Sequence, residues 1–184
     1  MLLIAMLALL PASGPAAQTP DVCPASDVGA LARRAWSDFE FDAQAEGGPM
    51  WYAGRGCHAQ AAQAARDYLA RGPLLTVRQQ AITQLHRGRN LAFAGREAEA
   101  AQAVASARRS DQALEDDRAL DWNAYVEGLY GFLVKDRPLL EDRLARLRGR
   151  TGEGDAINAA NLARLSRCFD RPYAEAQTSD DCAP

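Results

Sequence analysis

"GRNLAFAGREAEAAQAVASA" (Gly88–Ala107) reads as two helices that meet at Gly95. Gly88 and Ala92 share one face of the first helix. Ala100, Val104 and Ala107 share one face of the second, at the three- and four-residue intervals that build a helical stripe. Small side chains at these places let two backbones approach closely, and methyl groups from the partner fill the seam. The layout returns forty residues later, with Gly88 falling on Gly128, Leu91 on Gly131, Ala100 on Leu140, Val104 on Leu144 and Ala107 on Leu147. Each such hairpin leaves an apolar face open, and stacking a neighbour on it completes the core.

Helical periodicity continues on both sides of the hairpin. "ASDVGALARRAWSDFEF" (Ala25–Phe41) predicts a helix capped by Ser26 or Asp27, with Val28, Leu31, Ala32, Ala35, Trp36 and Phe39 on one stripe. A second helix is expected from about Met50 to Arg71, where Gly72-Pro73 stops it. A third runs from Thr76, as cap, to Ala94, and a fourth from Gly95 to about Arg109. The acidic run Glu115-Asp116-Asp117 suits the amino end of a fifth, which continues through Trp122 and Phe132 to Val134. A sixth covers Leu139 to Leu147, with Pro138 in its first turn. Asp155 is the expected cap of a seventh that ends near Cys168 as a C-terminal capping helix, and residues 168–184 read as an irregular tail. With no alternating β pattern of useful length, the expected class is all-α.

The ends of the chain bear on location. Leu2–Leu10 is a short apolar run followed by Pro11 and small residues, the layout of a secretory signal peptide and too short to span a bilayer comfortably. It lacks a preceding Lys or Arg. Cleavage near Ala16 or Ala17 divides the chain into a signal peptide, 1–17, and one helical domain, 18–184. Four cysteines then remain: Cys23, Cys57, Cys168 and Cys182. An even number behind an export signal favours two disulfides in an oxidising compartment, periplasmic or extracellular. Three pairings are possible; Cys23–Cys57 and Cys168–Cys182 are preferred because each ties an end segment to the nearest helix. No lipid-attachment box precedes Cys23, so no stable membrane anchor is expected. A net charge of −3, with arginine and acidic residues alternating, does not provide the basic face that nucleic acid requires.

The spacing of Gly88, Leu91, Gly95, Ala100, Val104 and Ala107 resembles the tetratricopeptide repeat. Gly128, Leu140, Leu144 and Leu147 follow it more loosely, with Lys135 in place of the turn glycine. The likeness is clearest over 76–148. A degenerate third copy ends at Ala61, Ala65, Tyr68 and Pro73. This resemblance implies a short α-solenoid of stacked antiparallel hairpins. It also implies a concave groove on the first-helix side, where Trp122, Tyr125, Leu129 and Phe132 form an aromatic stripe and Arg89 stands ready to pair a carboxylate. A covering of that stripe by the seventh helix and the tail is the competing expectation, and it would make the stripe core.

Catalytic chemistry is thin. "GRGCHA" (Gly54–Ala59) has the glycines of a dinucleotide-binding turn but no strand before it, so it reads as a kink or a close-packing site. His58 and His86 are too few for a metal site, no nucleophile–base motif occurs, and His86 reads as a solvated or partly packed polar residue. Arg143, Arg146, Arg148 and Arg150 form a basic cluster whose secondary interpretation is an acidic partner. The expectation is therefore a non-catalytic module that binds a protein or peptide, without cofactor or metal, and of unassigned oligomeric state. The alternatives are a small exported hydrolase and an apolar small-ligand binder.

Overall fold

The computed structural model describes residues 23–110 and 120–183. The leader, 1–17, and the acidic run at 115–117 lie outside these residues. Among those described there are ten α-helices and no strand. They are α1 (Val28–Leu31), α2 (Trp36–Phe41), α3 (Pro49–Ala53), α4 (His58–Arg71) and α5 (Val77–Phe93). After these come α6 (Glu97–Ala105), α7 (Trp122–Leu133), α8 (Arg137–Arg148), α9 (Glu153–Arg167) and α10 (Tyr173–Thr178). From α3 to α9 each helix packs on the one before it, and α9 also reaches back to α7.

One backbone device builds the hairpins. At the end of α5 the Arg96 N–H donates to Leu91 O at 2.9 Å and Gly95 N–H to Ala92 O at 3.0 Å, with Gly95 at φ 75°. This is the Schellman arrangement, which satisfies the last carbonyls of a helix through a left-handed residue. At the end of α7 the Asp136 N–H reaches Gly131 O at 2.8 Å and Lys135 N–H reaches Phe132 O at 3.2 Å, with Lys135 at φ 58°. The forty-residue recurrence is thus present in the turn itself. A third instance ends α3: Cys57 N–H to Tyr52 O and Gly56 N–H to Ala53 O, both 3.0 Å, with Gly56 at φ 72°. The inward positions follow. Ala61, Ala100 and Leu140 are buried, as are Ala65, Val104 and Leu144, and Tyr68, Ala107 and Leu147.

The small residues face helices, as close packing requires. A Cβ on Gly88 would lie 2.6 Å from Val104 Cγ2 of α6, and one on Gly131 would lie 2.9 Å from the Leu140 backbone nitrogen of α8. On Gly128 it would collide with Leu162 of α9.

Four boundaries differ from the sequence pattern, each for a tertiary or local reason. The first expected helix is split into α1 and α2, because Tyr68 Oη takes the Arg34 carbonyl at 2.8 Å and Ala35 is extended. The second is split into α3 and α4 at the Gly54–Gly56 turn. Gly152, not Asp155, precedes α9. Asp155 is instead fully buried, bonding the Asp121 backbone N–H at 2.6 Å and Arg150 Nε at 2.7 Å. The tail is not irregular: it forms α10, which packs on α9 and α5. The thiols pair as Cys23–Cys57 and Cys168–Cys182, with Cα separations of 5.7 and 5.6 Å. No described helix is long and apolar enough to cross a membrane.

Candidate functional site

α5 presents four consecutive-face residues, His86, Arg89, Asn90 and Phe93, toward α2 and α3. Its amino end is set by a capping box in which Thr76 accepts from Gln79 N–H and Gln79 returns a bond to the Thr76 N–H. Against these residues stand Pro49, Met50 and Ala53 of α3 and Glu40 of α2. Together they line a partly open cleft of about 280 Å³ whose exposed wall is mostly apolar.

A hydrogen-bond chain fixes its polar floor. Trp36 Nε1 can only donate, and does so to Thr83 Oγ1 at 3.0 Å. The Thr83 hydroxyl proton therefore points to Glu40 Oε2, 2.6 Å away. Glu40 Oε1 lies 2.5 Å from His86 Nδ1, and the glutamate is wholly buried while the imidazole keeps 31% of its surface. This pairing assigns the imidazole proton to Nδ1 and leaves Nε2 for solvent or a ligand. Beside it, Asn90 Nδ2 donates to His86 O at 3.0 Å and its Oδ1 meets His58 Nδ1 at 2.9 Å. His58 in turn stacks on Phe93 at 4.7 Å. Both histidines of the sequence thus belong to one network.

Arg89 closes the far end. Its Nε donates to Tyr173 Oη of α10 at 3.3 Å. Tyr125 and Tyr173 raise its pKa against the burial that would lower it, so it stays a cation. Burial pushes the Tyr173 phenol up to about 12.

The aromatic stripe is elsewhere. Trp122 keeps 9% of its surface, Tyr125 4%, Leu129 1% and Phe132 none. Of the two expectations for this stripe, the covered one holds and the open groove is corrected: these four residues are core. Phe132 meets Phe169 and Tyr173 edge-on, and Trp122 Nε1 donates to Ala107 O at 2.8 Å, so the tail and the neighbouring hairpin cover them. Of the expected partner-binding residues only Arg89 lines the cleft. Much of the arginine cluster is neutralised as well: Arg143 pairs with Glu127 at 2.6 Å, Arg146 with Asp121 at 2.6 Å and Arg150 with Asp155 at 2.7 Å. Among the described residues no group of three or more His, Cys, Asp or Glu side chains is gathered as metal ligands.

Sequence reasoning passed over Glu40 and Thr83, and it gave His86 no partner. Glu40 sits next to Phe39 and Phe41 in "DFEF", one residue off the apolar stripe; a carboxylate flanked by two aromatics is the one local sign of its burial. The chain matches no family model, no curated protein and no solved structure.

Proposed function

We propose that this protein is an exported, non-catalytic binding module that holds a small ligand in the cleft between α3 and α5. The observation that carries this reading is the cleft itself: an accessible, mostly apolar concavity with convergent polar groups at one end, the usual make-up of a ligand site. At about 280 Å³ it suits a small molecule rather than a length of peptide. A peptide laid along the stripe of α7 would first have to displace α10. The recurring turns after α3, α5 and α7 support a tetratricopeptide-like arrangement of hairpins, used here as a scaffold. Export is supported by the paired cysteines and the apolar leader.

The test is a fragment screen by amide NMR on the oxidised protein, beside an Ala53→Trp variant that fills the cleft. Shifts confined to α3 and α5, absent in the variant, are the expected result. Shifts elsewhere, or hits that bind the variant equally well, would overturn the reading.

One observation favours a second reading, a hydrolase. A buried carboxylate that orients an accessible imidazole is the arrangement of a general base. If it acts so, turnover of a small activated ester vanishes in His86→Ala while the melting temperature of that variant stays near that of the parent.

A further inference from the structure

The nature of the ligand can be taken further, on the reading that the α3–α5 cleft is a binding site. Arg89 differs from two other partly buried arginines. Arg143 and Arg150 each touch a carboxylate at 2.7 Å or less. Arg89, on the wall of the cleft, has no carboxylate within salt-bridge distance among the described residues, and its one protein hydrogen bond is to a phenol, through Nε. A guanidinium taken out of water without a counter-ion is costly. Its two amino groups also present the flat fork that matches two oxygens of one anion.

The rest of the cleft limits what that anion is. Glu40 lines the same cleft from the facing side, so a ligand with two negative charges is repelled more strongly than one with a single charge. Pro49, Met50, Ala53 and Phe93 offer only apolar surface to the remainder of the molecule. The volume falls at or just below the low end of the usual range for organic ligands, about 300–1,000 Å³. We infer that the cleft takes a small monocarboxylic acid with an apolar body, its carboxylate held by Arg89 and its hydrocarbon lying on α3 and Phe93. Tyr173, anchored in the tail, is a positioning residue that holds the guanidinium at the cleft.

Calorimetric titration of the oxidised protein with phenylacetate, phenylacetamide and inorganic phosphate tests this. Phenylacetate is expected to bind at least ten-fold more tightly than the isosteric amide, and phosphate not at all. Arg89→Gln should erase the preference of the acid over the amide, and Arg89→Lys should keep part of it. Tyr173→Phe, which retains the ring and drops the hydroxyl, should weaken phenylacetate alone; it also serves if Arg89→Gln does not fold. Equal binding of acid and amide, or a preference that survives Arg89→Gln, would sink the carboxylate inference and leave the cleft standing as a site for neutral ligands. Phosphate binding as tightly as phenylacetate would also sink it, since the cleft would then read charge alone. Binding of none of the three, with none blocked by Ala53→Trp in the fragment screen, would remove both.

Discussion

α5 and α7 end in the same turn, yet His86, Arg89, Asn90 and Phe93 of α5 line a cleft while Leu129 and Phe132 of α7 are sealed. Forty residues separate His86 from Val126, Arg89 from Leu129, Asn90 from Tyr130 and Phe93 from Leu133. The turns that follow the two helices share their hydrogen bonds, so the backbone does not set the difference. Side-chain chemistry and cover do. On α7 the apolar set accepts α9 and the tail, and Val126, Leu129 and Leu133 are buried. On α5 the polar set finds its partners in Trp36, Glu40 and His58, and a cleft remains between it and α3. The same turn thus serves both a buried apolar face and a polar face left partly open.

Breaking the sealed copy should have the largest effect. Leu129→Ala removes a fully packed side chain and is expected to cost about 2–5 kcal/mol in denaturant unfolding. Arg89→Leu, which writes the α7 residue onto α5, should leave stability within about 1 kcal/mol and abolish the preference for a carboxylate. A small loss at Leu129 would mean that the tail does not cover α7.

Next comes the staple on that cover. Replacing Cys168 and Cys182 by serine opens a loop whose closure is worth about 3 kcal/mol in the chain-entropy model. The variant should bind a hydrophobic dye through the uncovered Tyr125 and Phe132. The equivalent change at Cys23 and Cys57 should not, because that bridge ties the amino-terminal segment to the separate cluster around Phe39 and Tyr68.

Alkali offers a gentler probe. Tyr173 has its pKa raised from 10.0 to about 12, chiefly by burial, so the fold favours the neutral phenol. Its contribution to stability is complete below pH 10 and is lost as pH climbs from about 10 to about 12. Tyr173→Phe should flatten the stability profile across that window. A residual slope is expected from Tyr52 and Tyr68, whose phenols burial also raises.

The two turns should give the smallest effects, of opposite character. Gly95→Ala forces a side chain into the left-handed region and should cost about 1 kcal/mol. Lys135→Gly relieves that conformation but gives up the Nζ bonds to Phe169 O and Arg171 O, at 2.9 and 3.2 Å, and the ammonium's seat 4.1 Å above the Phe132 ring. The net change should lie within about 1 kcal/mol of zero by thermal melting.

The hairpins were legible because their signals are local. Gly88, Gly95, Gly128 and the buried alanine and leucine rows carry the helix period and the turn in the residues themselves, and the cysteine pairing followed from which segments were ends. The site was not legible, because its members come from 36, 40, 83, 86, 89 and 173, and none announces its partners. Thr83 looks like any polar residue on a helix until Trp36 and Glu40 arrive from outside the repeat. The aromatic stripe left two readings open for a related reason: periodicity shows that a face is apolar, and only the position of α9 and α10 shows what lies against it. The split of the first two expected helices has the same origin in part, since Tyr68 takes the carbonyl that would have continued α1.

The Cys168–Cys182 bridge encloses Arg171 and the whole of α10. A cut after the exposed Asp170 would therefore sever the polypeptide without releasing the piece that bears Tyr173. Two chains joined through sulfur would remain, with the phenol still attached beside the Arg89 guanidinium.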